Sequence, residues 1–146
     1  MMSEFDLEAF LPYRLARASD AISAGFATIY RERYNMTRPE WRALALLGAF
    51  GHLTATEISR RSAMHKTKVS RAVQSLEERG WLTRSADDGD RRVEHLELTA
   101  GGWAIHAELT ENARAYEGDL RQRLGADAIA ALLSGLDAIE ADRAHD

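Results

Sequence analysis

The chain has 146 residues, 45% of them apolar, a formal charge of −4 and no cysteine. That length suits one compact domain, or one with a helical extension; the missing thiols exclude disulfide frameworks, thiolate metal sites and cysteine redox sensing, and point to an intracellular protein. Met1 to Asp6 is short and acidic, and nowhere do eighteen apolar residues run together, so neither export nor a membrane is expected and the cytoplasm is the expected location.

Leu7, Leu11, Leu15, Ala18, Ile22, Phe26 and Ile29 recur at steps of four and three. This predicts one long helix over Leu7 to Tyr34, with Pro12 bending it or marking the start of its regular part. Thr37 precedes Glu40 by three, a capping box, and Trp41, Leu44 and Leu47 follow as a stripe. Gly48 and Gly51 mark the end of that second helix. Thr54 and Glu57 repeat the box ahead of Ile58, opening a short helix to about Ser62. After a break at Ala63 and Met64, the stretch Lys66 to Arg79 carries Val69, Val73 and Leu76 on one narrow face and stops at Gly80.

Trp81 to Ser85 and Val93 to Leu98 read as strands joined by the turn-forming Ala86-Asp87-Asp88-Gly89-Asp90, hence one β-hairpin. Thr99 can cap a long helix bearing Trp103, Leu109, Ala113, Tyr116, Leu120 and Leu124. Gly125 interrupts it, and a last helix places Ile129, Leu132, Leu133, Leu136 and Ile139 on one side. The expected fold is mainly α with a small β-hairpin wing: a winged helix-turn-helix lobe over residues 37–99 and a helical dimerisation domain from residues 1–36 and 100–146. The apolar stripes of the outer helices exceed what so small a lobe can bury, so a homodimer about a two-fold axis is expected.

The acidic total hides an asymmetry. Between Ile58 and Arg92 there are nine basic residues against five acidic ones, and both lysines of the protein lie there. Two short helices joined by a tight turn, the second with an outer face free of acids, followed by an arginine-tipped hairpin, are arranged as in a winged helix-turn-helix. Ile58, Val69, Val73 and Leu76 would lock the helices together, leaving Lys66, Thr67, Lys68, Ser70, Arg71 and Gln74 for a major groove. Arg71 can donate two parallel bonds to guanine and Gln74 can pair with adenine. Arg91 and Arg92 suit a neighbouring minor groove, and Thr54 completes the candidates. Any one of these pieces alone is ordinarily a solvated amphipathic surface; their conjunction, in order, carries the reading.

The run Val69-Ser70-Arg71-Ala72-Val73-Gln74-Ser75-Leu76-Glu77-Glu78-Arg79-Gly80-Trp81-Leu82, then Asp90-Arg91-Arg92, then Leu96-Glu97-Leu98-Thr99-Ala100-Gly101-Gly102, resembles the MarR (multiple antibiotic resistance regulator) family. The resemblance is specific in the middle and one of pattern in the outer helices. It implies a repressor that binds a palindromic operator on double-stranded DNA and is released by a small, aromatic or anionic effector lodged between the dimerisation helices and the DNA-binding lobe. It also implies that Asp90 orients Arg92. His65 departs from the pattern, standing at the N-cap where Asp, Ser or Asn is usual. For an effector cleft the sequence offers Tyr13, Arg17, Tyr30 and Trp41, although aromatics at helical spacing are ordinarily core and Arg17 is ordinarily an ion-pair partner.

Two alternatives share this fold: a metal-responsive regulator, and an architectural winged-helix protein without an effector. His52, His65, His95, His106 and His145 include no pair three or four apart, so no metal ligands are expected. Ser59, Ser62 and His65 lie close in sequence, yet no third orienting group or glycine elbow accompanies them, so no catalytic residues are expected. No cofactor is expected either. Uniform, salt-sensitive coating of any DNA would mark the architectural protein, and a sharp footprint on a palindrome would mark the regulator.

Overall fold

The computed structural model of the chain describes residues 4–143. It divides into two compact units, Met1–Thr110 and Glu111–Asp146. The first opens with a 3₁₀ turn, Leu7–Ala9, capped by the Asp6 side chain, and continues as α1 (Leu11–Tyr34). The single helix expected from Leu7 is thus two pieces. Pro12 sits in the first turn of α1, where its missing N–H forfeits no helical bond. Asn35 ends α1 in the left-handed conformation, φ 51°, a geometry that its short polar side chain tolerates.

Next come α2 (Arg38–Phe50), β1 (His52–Leu53), α3 (Ala55–Ser62) and α4 (Lys66–Glu78). The Thr37–Glu40 capping box has both halves in place, and Thr54 caps α3 by accepting from the Glu57 N–H. Gly51, at φ +86°, closes α2. Gly48, expected to help end that helix, instead lies inside it against α5, where a Cβ would stand 2.0 Å from the His106 ring. A missing side chain made room for a neighbour, not for a turn.

Strands β2 (Leu82–Ala86) and β3 (Glu94–Leu98) pair antiparallel, Leu82 opposite Leu98. The expected hairpin is part of a three-stranded sheet in the order β1-β3-β2, with Leu53 opposite Leu96. Two residues between Gly51 and the Thr54 cap are too few for a periodic signal, so β1 could be found only by its partner. Leu53, Leu82, Leu96 and Leu98 all face inward and meet Leu44, Leu47, Ile58, Val69, Val73 and Leu76 in a core whose members are nearly all fully buried. The end of α1 joins this core through Phe26 and Tyr30, whose rings contact Trp41 at centroid distances of 5.0 and 6.1 Å.

Helix α5 (Ala100–Leu124) starts in the first unit and runs into the second. Its Thr99 cap accepts from the Gly102 N–H and donates to the Gly80 carbonyl. Its first turns carry Leu109 into the core, and Glu108 receives both Arg33 and the Tyr34 hydroxyl from α1. Tyr34 is pushed up to about 12, first by burial and then by the bond to that carboxylate. In the second unit, Gly125 (φ +89°) separates the end of α5 from α6 (Ala126–Arg143). No residue of α6 is buried: Leu132, Leu133, Leu136 and Ile139 are 37–44% exposed.

Two stability predictions follow from the α5 contacts. A Cβ on Gly102 would lie 2.0 Å from the Trp81 carbonyl oxygen, a backbone atom that cannot step aside, whereas one on Gly101 meets nothing nearer than 3.7 Å. Gly102→Ala should therefore destabilise by about 1–3 kcal/mol or more, and Gly101→Ala should be near neutral, as read by urea denaturation. Burial alone holds the His106 imidazole below its ordinary value of 6.5. The unfolded chain then binds the proton more readily, so this stability is fully present above pH 6.5 and is lost as the pH falls below it. Melting temperature should drop on acidification through that window, with a shallower slope in His106→Gln.

Candidate nucleic-acid interface

The turn between α3 and α4 is built by local bonds. Ala63 is left-handed, φ 56°, a conformation that costs an alanine energy. It is held by the Ser59 hydroxyl donating to the Met64 carbonyl at 2.6 Å and by burial of Met64. Ser62 donates to the Ile58 carbonyl at 2.5 Å. His65 is the N-cap of α4 after all: its Nδ1 accepts from the Thr67 N–H at 3.3 Å, which an imidazole nitrogen with a free lone pair can do in place of a carboxylate. Ser59, Ser62 and His65 are thus all engaged with backbone groups.

Helix α4 has two distinct faces. Val69, Ala72, Val73 and Leu76 are buried, while Lys66, Thr67, Lys68, Ser70, Arg71 and Gln74 are exposed. No acid interrupts the outer face before Glu77. Gln74 is tethered by donating to Glu78 at 3.2 Å, whereas Lys66, Lys68 and Arg71 have no ion-pair partner among the described residues. Thr54 is half-buried in its cap, with Ala55 and Thr56 beside it lining a cleft that also touches Arg84 and Arg92.

The wing tip, residues 87–93, is organised by two aspartates. Asp87 accepts from the Gly89 and Asp90 N–H groups, each at 3.0 Å, and meets His95 Nε2 at 2.7 Å. The bond from His95 first, and then those two amides, hold its carboxyl below the ordinary aspartate range. Asp90 accepts from the Arg92 N–H at 3.0 Å and grips its guanidinium through both oxygens, Nε–Oδ1 3.2 Å and Nη2–Oδ2 3.4 Å. The Arg92 side chain is nonetheless 91% exposed. It is held in place and still open to a partner. Arg91 is exposed beside it. The organising role of Asp87 escaped the sequence reading, which took that residue only as part of a turn; the Asp-x-Gly-Asp spacing is its signal.

Not every cation of the basic segment faces outward. Arg79 is directed inward, with Nε 3.1 Å from the buried Glu40, and Arg84 is neutralised between Glu77 at 3.0 Å and Glu94 at 3.8 Å. Arg61 stacks over Phe50 at 4.0 Å. Charge counting cannot make this distinction, because an internal ion pair and a free cation are written with the same letter.

The four effector candidates do not converge within one chain. Tyr30 is fully buried and stacked on Trp41, as part of the core. Tyr13 lies seventeen residues earlier on the same helix, about 25 Å away at 1.5 Å per residue. Arg17 sits near the Tyr13 ring at 5.7 Å, and its nearest carboxylate is that of Glu8 at 4.0 Å. Of the histidines, His52 and His95 approach edge-to-face at 6.0 Å, and His145 lies outside the described residues. Among the described residues no three His, Asp or Glu side chains gather as metal ligands, and no helix is long and apolar enough to cross a membrane.

The MarR family model matches residues 34–93, from the end of α1 to the wing tip. Over nearly its whole length the chain is similar to the MarR family transcriptional regulator SPO1453 from Silicibacter pomeroyi DSS-3, at 33% identity and a TM-score of 0.80, covering 95% of this chain and 98% of that one. The chain belongs to the MarR family of transcriptional regulators. A stretch of 54 residues of this MarR-family chain is 37% identical to the transcriptional repressor MprA of Escherichia coli (strain K12), covering 37% of this chain and 31% of that one. The fold is also that of Bordetella bronchiseptica BpsR, whose DNA binding is regulated by 6-hydroxynicotinic acid: TM-score 0.80 at 20% identity, over 94% of this chain and 98% of that one.

Proposed function

We propose that this MarR-family protein represses transcription by binding a palindromic operator as a homodimer, and that a small aromatic or anionic molecule releases it. The observation that carries the DNA-binding part is the pairing of an exposed, acid-free outer face on α4 with an exposed Arg92 that Asp90 holds in position. Arg71, Gln74, Thr67 and Ser70 read bases, Lys66, Lys68 and Thr54 meet phosphates, and Arg91 and Arg92 enter the flanking minor groove. Residues 37–99 act as the DNA-binding domain, and residues 1–36 and 100–146 as the dimerisation domain. Repression is supported by the likeness to MprA, and effector release by the regulation of BpsR by an aromatic acid.

The dimer is supported by surface that a monomer would leave wet. Phe5, Leu7, Phe10 and Leu11 at one end of the first unit, and Leu124, Leu132, Leu133, Leu136 and Ile139 in the second, are 37–68% exposed. So much exposed apolar surface marks an interaction site. An effector cleft that takes Tyr13 and Arg17 together with Trp41 would have to draw them from two protomers, since one chain does not bring them together. Sedimentation equilibrium at micromolar concentration should return about twice the 16.3 kDa chain mass; a 16.3 kDa species would remove the dimer and the palindrome with it. A panel of aromatic carboxylates should weaken operator binding, and by linkage operator should weaken theirs.

The two DNA-contacting elements should fail differently. Arg71→Ala should cost about 1–3 kcal/mol on the operator and little on random DNA, because a base contact is lost. Arg92→Ala should weaken both and flatten the salt dependence. Asp90→Ala removes an acid, which by charge alone would tighten binding; if it acts by holding Arg92 it weakens binding instead. Anisotropy titrations at two salt concentrations read all three, and tighter binding by the Asp90 variant would end the orienting role.

A further inference from the structure

Beside the outer face of α4 lies a cleft of about 440 Å³ formed with the C-terminal half of α1 and the first turns of α2. Its walls hold four cations, Arg31, Arg38, Arg42 and Lys68, with Thr37 and Met64 among them, and not one acid. Arg38 is paired with Asp20 at 3.1 Å. Arg31, Arg42 and Lys68 have no carboxylate within ion-pair distance among the described residues. The Nε of Arg38 is buried without a hydrogen-bond partner, the one such side-chain atom among the described residues.

This arrangement is costly in the absence of an anion. Arg38 and Arg42 are an i, i+4 like-charge pair on one face of α2, which destabilises a helix. They stand at its N-terminal end, where the macrodipole already adds positive potential, and a buried guanidinium donor without a partner pays its desolvation unreturned. Arg38 has structural partners in Asp20 and the buried Tyr30 hydroxyl, but Arg31 and Arg42 have none among the described residues, and the fold at this corner is held without them by the Thr37–Glu40 capping box and by Glu40 with Arg79. A site that concentrates cations without structural need is a site for an anion.

We infer that this cleft is a phosphate seat, occupied by the DNA backbone at the edge of the major groove that α4 enters. The inference rests on the DNA-binding reading above and extends it to residues outside the helix-turn-helix. Lys68 ties the two together, since it belongs both to the cleft and to the exposed face of α4, one residue from Thr67 and three from Arg71. A helix lying in a groove about 12 Å wide has phosphates along both its flanks, and guanidinium forks match phosphate oxygens in pairs. Met64 and Pro39 are the only apolar side chains among its walls, and the charge that faces the cleft is cationic throughout, so an anion is what it is built to take.

Non-specific binding is mostly phosphate contact, so the test needs no operator. Anisotropy with a random-sequence duplex of about 30 base pairs, over a salt series, gives a slope of log affinity against log salt of about 0.9 per phosphate contact. The Arg31→Ala/Arg42→Ala double variant should lose about 2 from the magnitude of that slope. Arg31→Lys/Arg42→Lys should keep it, since charge is retained, and equal melting temperatures for the two variants would show that the loss is not one of folding. A double alanine variant with the wild-type slope overturns the phosphate seat while leaving α4 and the wing as the DNA-binding elements. Failure of the wild-type protein to bind any duplex overturns both. Inorganic phosphate is titrated in parallel without DNA: a rise in melting temperature that requires Arg42, with the DNA slope unchanged, would mean the cleft holds a free anion and would overturn the assignment to the backbone.

Discussion

Glu40 is 4% exposed, and its carboxylate accepts from four donors: the Thr37 N–H at 3.2 Å, the Thr37 hydroxyl at 3.0 Å, the Ser75 hydroxyl at 3.0 Å and Arg79 Nε at 3.1 Å. Those bonds fill the sites a carboxylate has to offer. Arg79 continues the network, donating to the Tyr34 and Asn35 carbonyls at 2.5 and 2.8 Å while its guanidinium lies 4.9 Å from the Trp81 ring centre. The end of α1, the start of α2, the end of α4 and the approach to β2 are joined at one point. A buried pair of this kind adds little net stability over an apolar replacement, but removing one partner costs about 3–5 kcal/mol because the other charge is stranded. Its effect here is geometric: apolar packing holds α4 against α2, and the directional bonds at Ser75 and Arg79 fix how α4 is rotated.

The rotation of α4 decides which side chains meet a partner. With Val69, Ala72, Val73 and Leu76 locked inward, the acid-free face has only one direction to present itself. The sheet does the same for the wing. Leu82, Leu96 and Leu98 anchor its base in the core, and the Asp87 and Asp90 bonds carry that order out to the tip. A guanidinium that is both held and exposed loses less freedom on binding than a free one. The overall charge of −4 is compatible with this, because potential at a surface depends on where charges stand, and the acids are concentrated outside the segment that bears α4 and the wing.

The helices outside the lobe obey a different constraint. Their stripes are apolar, yet α6 buries none of its residues within the chain, and the start of α1 leaves Leu11 59% exposed. Amphipathic helices draw most of their stability from covering such faces, so in the proposed dimer folding of these helices and association are one process. An effector that shifted the two protomers would act on DNA through their spacing, the quantity on which a palindromic site depends.

Local order was legible in the sequence wherever a few neighbouring residues settle it. The Thr37–Glu40 box, the Thr54 cap, the α4 stripe, the turn before Val93, the Thr99 cap and the break at Gly125 each depend on contacts within one or two turns and were legible, although at Thr54 the reciprocal half of the expected box, the Thr54 N–H donating to Glu57, does not form. The order of those pieces along the chain carried the winged helix-turn-helix arrangement, and the resemblance of Val69 to Gly102 to the MarR family supplied the pairing of Asp90 with Arg92. What only tertiary structure decided were matters of long-range partnership. β1 exists because Leu53 finds Leu96 across the sheet; Gly48 is small because His106 occupies its place; Tyr30 is core and Arg17 surface although both lie on one helix. Arg79 turns inward because Glu40, thirty-nine positions earlier, is buried beside it, while Arg31, Arg38 and Arg42 gather with Lys68 because α1, α2 and α4 meet at that corner. A sequence specifies which groups it carries and how near neighbours bond, but whether a charge is paired or free depends on the three-dimensional position of a residue far away in the chain.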